Sequence, residues 1–345
     1  MPVQRELGIV LAAAACGAFV TITEPVTIAL LRRLAAIDTP NSRSSHTTPT
    51  PRGGGAPIAV GLVTAALIIH SPVMLTFGAV VLVFAGIGLA DDLGSLPASG
   101  RLIMQAATGL AAGWILGREI GGLPQVVALA AAVLLSIWLT GFVNAFNFMD
   151  GINGISGAHA LAGGAAYACI GFLRPEAFLA AGGAAIAAGG LAFLPWNARR
   201  ARVFLGDVGS YALGAALALL AACAVLRGIP PEAALGPLGL YLADTAWTIQ
   251  RRLRAGEPLL QAHRTHAYQR LCDVGWSHQR VTSVTAAVTV ALSLLGAVSL
   301  TPHPGLRAAA DLTAIALMAA YLAAPAMLGR GLAPAAKPGL ESGAA

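Results

Sequence analysis

Charge is what this 345-residue sequence has least of: Asp, Glu, Lys and Arg make up 10% of it, against roughly 25% in an ordinary soluble domain. With 57% hydrophobic residues, that scarcity excludes a water-exposed globular surface. Cysteine is scarce as well. Cys16, Cys169, Cys223 and Cys272 are scattered without CxxC spacing and three of them fall in apolar stretches, so neither a zinc site nor a disulfide framework is expected. No internal repeat period stands out.

What fills the chain instead is a series of apolar stretches near the length a helix needs to cross a hydrocarbon core of about 30 Å. They run approximately over 7–31, 56–71, 73–90, 102–119, 124–143, 155–173, 177–195, 208–226, 232–249, 281–300 and 309–328. The expected fold is therefore an all-α polytopic membrane protein of about 11 transmembrane helices. Residues 1–330 read as one membrane domain and 331–345 as a disordered Ala/Pro/Gly tail. The first stretch has a small-residue patch at Ala12–Cys16, but hydrophobicity continues to Leu31 before Arg32 and Arg33. It reads as a span, not a cleaved leader.

The net charge of +6 is explained by orientation, not by nucleic acid. Sixteen of the 21 basic residues fall in alternate loops, while Arg5, Arg118, Arg174, Arg227 and Arg307 occupy the others. The positive-inside rule then places the N-terminus outside and the C-terminus in the cytoplasm. The abundant Ala and Gly suit close helix packing.

Five polar clusters fall on that one expected face, where ionisable groups at span ends imply a water- or ligand-filled cavity. The first, Asp38–His46 with Pro49-Thr50-Pro51-Arg52-Gly53-Gly54-Gly55, offers Arg43 and Arg52 to phosphate and glycine N–H groups to an anion. The second is Asp91-Asp92, adjacent carboxylates that invite a hard divalent cation. The third, 144–154, supplies Asn144, Asn147, Asp150 and Asn153, whose amides suit a uracil or an N-acetyl group. The fourth sets Asp207 between glycines in Phe204-Leu205-Gly206-Asp207-Val208-Gly209-Ser210, at a helix start that favours anions. The fifth carries His263, Arg264, His266 and Arg270, which fit an anion clamp better than a metal site because no Cys or nearby acid completes a tetrahedral set.

In this order and on one face, the five segments resemble the polyprenyl-phosphate N-acetylhexosamine-1-phosphate transferase superfamily, which also contains the phospho-MurNAc-pentapeptide transferase. The resemblance covers about residues 30–280. It implies that Asp91, Asp92 and Asp207 serve catalysis and Mg²⁺, with Mn²⁺ as the alternative ion, and that Asn147, Asp150 and Asn153 lie near nucleotide and sugar. It further implies that Asn197 and Phe204 belong to the nucleotide pocket and that His263 and His266 form the late histidine motif and serve catalysis. Arg264 and Thr265 interrupt what is a run of three histidines in the peptidoglycan branch. The Pro-Thr-Pro-Arg-Gly-Gly-Gly segment is similar to the O-antigen and teichoic acid branches.

The implied partners are a UDP-N-acetylhexosamine, polyprenyl phosphate and membrane lipids, with a homodimer allowed and nucleic acid excluded. The implied location is the bacterial inner membrane, with the active site on its cytoplasmic side. Phosphoryl transfer asks mainly for positioning and charge neutralisation, which acids, amides, glycines and cations supply. A transporter or lipid flippase is the rival from another class. It predicts acids spread through mid-span positions, whereas these sit at helix ends.

Overall fold

A computed structural model of the chain describes residues 2–40, 48–120, 122, 124–258 and 263–329. Arg43, Arg330, Lys337 and the 331–345 tail lie outside the described residues. Among the described residues, thirteen α-helices account for nearly all regular structure: α1 Pro2–Arg33, α2 Ala56–Ile69, α3 Pro72–Gly94, α4 Ala98–Glu119, α5 Gln125–Phe148, α6 Ile155–Leu173, α7 Ala177–Asn197, α8 Gly206–Leu226, α9 Pro231–Leu235, α10 Gly239–Arg254, α11 Ala267–Asp273, α12 His278–Ala297 and α13 Pro304–Gly329. Each expected stretch overlaps a helix. Eight helices are individually long and apolar enough to cross a membrane; α2, with 14 residues, is too short to be one of them, and α4 is not among them.

The stretch expected at 232–249 is not one helix. It breaks into α9, a 3₁₀ turn over Gly236–Leu238 and α10. Pro237 lacks the N–H that a continuous α-helix would use there. The resulting bend packs tightly on α12, since a Cβ on Gly296 would lie 2.2 Å from the carbonyl oxygen of Glu232.

The core is organised around α8. Eighteen of its 21 residues are buried, and it packs on α3 and α5. A helix apolar all round is stable only when surrounded, and the run Tyr211-Ala212-Leu213-Gly214-Ala215-Ala216-Leu217 meets that condition with small and large side chains interleaved. The pair α6 and α7 makes the most extensive helix contact, through Gly164 and Gly183 among others. Among the described residues, a two-stranded antiparallel ribbon, β1 Ile37–Asp38 with β2 Thr50–Pro51, is the one addition to the all-α expectation. It lies at the end of the molecule where α3, α5 and α10 finish and α8 begins.

Candidate active site

Helix α8 starts without a capping side chain of its own, although the first N–H groups of any helix need acceptors. The acceptor comes from α3. Asp92 Oδ1 receives the Asp207 N–H and Oδ2 the Val208 N–H, both at 2.9 Å, placing a carboxylate at the positive end of the helix dipole. The two helices approach closely because position 88 is glycine: a Cβ there would lie 2.2 Å from the Asp207 carbonyl oxygen.

Arg52 joins the same junction. Its Nε meets Asp92 Oδ1 and its Nη2 meets Asp207 Oδ1, each at 2.7 Å. The guanidinium is aimed by the backbone around it. Phe204 N–H donates to the Pro51 carbonyl at 2.8 Å, Gly53 and Gly54 donate to Phe204 O, and Gly55 donates to Leu205 O at 2.8 Å. The glycine N–H groups expected to meet an anion are instead spent on the 204–205 carbonyls. The glycines serve contact between backbones, since a Cβ on Gly55 would lie 2.1 Å from the Gly209 Cα. Burial opposes the charge on Arg52, but Asp207 and Asp92 outweigh it and hold the guanidinium more firmly protonated than usual.

Behind this junction, Asp91 forms an ion pair with Arg101 and accepts the Leu96 N–H at 2.8 Å; its carboxyl is also within hydrogen-bonding reach of Asp207. Asn147, the last residue but one of α5, donates from Nδ2 to Asp207 Oδ1 at 2.8 Å and to Ser210 Oγ at 2.9 Å. In the α5–α6 loop, Asp150 accepts the Ser156 hydroxyl at 2.6 Å. Burial, opposed by that hydrogen bond and reinforced by the charge of Asp207, pushes the Asp150 carboxyl up to about 7.

These groups open onto a cavity of about 270 Å³ whose wall includes Arg52, Asn147, Asp150, Asn153, Phe204 and Asp207. The structure thus gathers residues from four of the five clusters. Asp91 and Asp92 stand behind the wall, supporting Asp207 and Arg52. Asn197 is at the wall, but its side chain is committed to the Gly154 N–H (2.6 Å) and the Val203 carbonyl (2.9 Å). Asn144 faces away, bonded to Gln105 and the Thr140 carbonyl.

The fifth cluster flanks the cavity. His263 and His266 stack on each other with ring centroids 5.1 Å apart, beside Phe148. His266 is buried, with Nδ1 3.2 Å from Asp244 Oδ1. Arg264 turns to Asp273 at 3.0 Å, so it takes no part in the expected anion clamp here. Asp244 went unnoticed in the sequence because it lies inside an apolar stretch; fully buried, it also accepts the Ala267 N–H at 2.9 Å. Asp38, from the start of the first cluster, is a further wall residue, and so are Gln269 and His278, which the sequence pattern does not single out. Gln269 stood inside the histidine pattern, whereas nothing in its surroundings marked His278.

Asp91, Asp92, Asp150 and Asp207 outnumber Arg52 and Arg101, and such an excess of hard oxygen favours Mg²⁺ over softer ions. No three His, Cys, Asp or Glu among the described residues form a ready-made chelate. The donor set therefore fits a cation held by few protein oxygens and completed by substrate phosphate, the usual arrangement for Mg²⁺.

The family profile described as glycosyl transferase family 4 matches residues 74–225. A decaprenyl-phosphate N-acetylglucosaminephosphotransferase from Mycobacterium tuberculosis is 31% identical, the match covering 80% of this chain and 78% of the relative. A probable undecaprenyl-phosphate N-acetylglucosaminyl 1-phosphate transferase from Bacillus subtilis is 27% identical, with 80% of each chain covered. A phospho-N-acetylmuramoyl-pentapeptide-transferase from Moorella thermoacetica is 31% identical over 81% of this chain and 95% of its own.

Proposed function

The chain belongs to glycosyl transferase family 4, and from that premise we propose that it transfers N-acetylhexosamine 1-phosphate from a UDP-sugar to polyprenyl phosphate, releasing UMP. The observation that carries this reading is the convergence of Arg52, Asn147, Asp150 and Asp207 on one cavity wall. A lipid phosphate oxygen attacks the sugar-linked phosphorus, a new P–O bond forms, and the P–O bond to UMP breaks. Lipid phosphate is already largely ionised near neutral pH, since its second pKa is about 6, so no strong base is required. Asp92, with both oxygens on the α8 N-terminus, positions Asp207.

Mg²⁺, or Mn²⁺ in its place, would be held by Asp207 beside the Asn147 amide, with Asp91 behind, and would supply neutralisation of the diphosphate charge. Arg52 adds a guanidinium already aimed at the same point, and both act on charge that the reaction redistributes. We place eleven crossings in a bacterial inner membrane, with α9 and α10 as one broken span and the cavity on the cytoplasmic side. The relatives named for N-acetylglucosamine transfer and the interrupted histidine run favour an initiating step in surface-glycan synthesis over the peptidoglycan branch. The test is purified protein with undecaprenyl phosphate, Mg²⁺ and a panel of UDP-N-acetylhexosamines including UDP-MurNAc-pentapeptide. UMP and a lipid-pyrophosphoryl sugar are expected with a simple hexosamine donor, and turnover of the pentapeptide alone would overturn the branch.

A further inference from the structure

Beside the transfer cavity lies a larger concavity of about 750 Å³, whose lining includes Arg32 from the end of α1 and Arg199, Arg200 and Arg202 from the α7–α8 connection. Asn153, Phe204 and His278 line both spaces, so the two are contiguous. Among the described residues, the vestibule wall carries four arginines and no carboxylate. Among the described residues, Arg52, Arg101, Arg227, Arg252, Arg264 and Arg307 are ion-paired. Among the described residues the vestibule arginines have no carboxylate partner, as is also true of other arginines such as Arg251, Arg254 and Arg270; what sets the four apart is that they share one concavity, with the Arg202 guanidinium over Trp196 at 5.8 Å.

Four unpaired guanidiniums around one concavity repel one another, an arrangement that an anion relieves. Arginines that merely anchor a membrane face have no reason to line a concavity that leads to the reaction site. The transfer cavity, about 270 Å³, is below the roughly 300–1,000 Å³ of small-molecule sites. A nucleoside diphosphate sugar overfills it, and the vestibule is the adjoining room.

We propose that this arginine-lined vestibule captures the donor as a nucleoside diphosphate polyanion before it seats against Phe204 and Asp207. The inference rests on the transfer activity proposed above and adds a capture site made by residues outside the transfer cavity. Arg199 and Arg200 do this by long-range attraction, so their contribution is to donor encounter and affinity, not to the bond-breaking step. Charged walls of this kind raise the local concentration of an oppositely charged substrate and are screened by salt.

The test compares Arg199→Gln/Arg200→Gln with wild type and with Arg254→Gln, an exposed arginine outside the vestibule. UDP binding is measured by calorimetry in nanodiscs without acceptor, and steady-state kinetics are run across ionic strength. The double variant is expected to bind UDP roughly tenfold more weakly at low salt, the lower end of the range for electrostatic focusing. Its UDP-sugar KM should rise by a similar factor, with kcat and the polyprenyl phosphate KM unchanged. Its salt dependence should flatten relative to Arg254→Gln.

UDP binding equal to that of Arg254→Gln would overturn the proposal, as would a rise confined to the polyprenyl phosphate KM, which would give the vestibule to the lipid phosphate. Wild type that binds UDP through these arginines yet transfers no sugar would sink the activity reading and leave the vestibule standing. Wild type that transfers sugar while the double variant binds UDP normally would do the reverse.

Discussion

Asp92 and Asp207 look equivalent in the sequence, two acids in polar clusters, yet the structure gives them different work. Asp92 spends both oxygens on N–H groups of α8, while Asp207 faces the cavity. Asp207→Asn keeps size and hydrogen bonding but removes the charge that would hold a divalent ion against the diphosphate. Turnover should fall by about 10²-fold or more, the scale of losing one preorganised electrostatic group, and added Mg²⁺ should restore part of it. Near-normal turnover with an unchanged Mg²⁺ optimum would transfer the role to Asp91. Phe204→Ala should raise the UDP-sugar KM and spare the lipid KM, because stacking on a base is worth roughly 1–3 kcal/mol. A raised lipid KM alone would place the ring in the other substrate's path. Asp150 gives the cavity a pH dependence: its carboxyl is neutral below about 7 and ionised above. Without divalent ion, UDP affinity should fall as pH rises through that value, and the difference between wild type and Asp150→Asn should isolate the effect from titration of the nucleotide itself. A constant ratio of the two affinities from pH 6 to 8 would show that this carboxyl does not titrate there.

The helices themselves were readable because about twenty apolar residues in succession have one economical structure in lipid. Their ends carried most of the site, and Asp207, Asn147 and Asp150 stood out there because polar groups are costly beside hydrocarbon. The junctions were not readable. That Asp92 caps a helix 115 residues away, or that Gly55 lies against Gly209, depends on which helix ends meet, and composition along one helix does not encode that. Asp244 was hidden for the related reason that its partners, His266 and the α11 N-terminus, come from another element. The α9–α10 break carried a signal in Pro237, which a hydropathy window averages away. The α3–α8 junction is open to a direct test through Gly88→Ala. Its methyl has no room beside the Asp207 carbonyl, so the helices must separate, at the 1–3 kcal/mol typical of overpacking, and Asp92 must release the α8 N–H groups. A lower unfolding temperature together with a loss of turnover is expected; full turnover would mean that the junction does not need this spacing.

At the scale of the molecule, the site requires that the ends of α3, α5 and α7 and the start of α8 share one face, and the hydrogen bonds among them hold only if they do. Which face that is follows from charge. The loops and helix ends on this side carry Arg52, Arg101, Arg199, Arg200, Arg202, Arg251, Arg252 and Arg254, whereas the opposite side keeps scattered single arginines such as Arg174 and Arg307. Moving basic loops across an energised membrane is disfavoured, so the site end should be cytoplasmic. With the native cysteines replaced, single cysteines at the exposed positions Ser95, Arg199 and His303 read the arrangement directly. An impermeant thiol reagent should label position 303, between α12 and α13, in sealed cells, and positions 95 and 199 only after permeabilisation. Labelling of 95 and 199 with protection of 303 would invert the orientation while leaving the site whole. Labelling of 95 and 199 from opposite sides would separate the α3 and α7 ends across the bilayer, and no single active site could then be built from Asp92, Asn197 and Asp207.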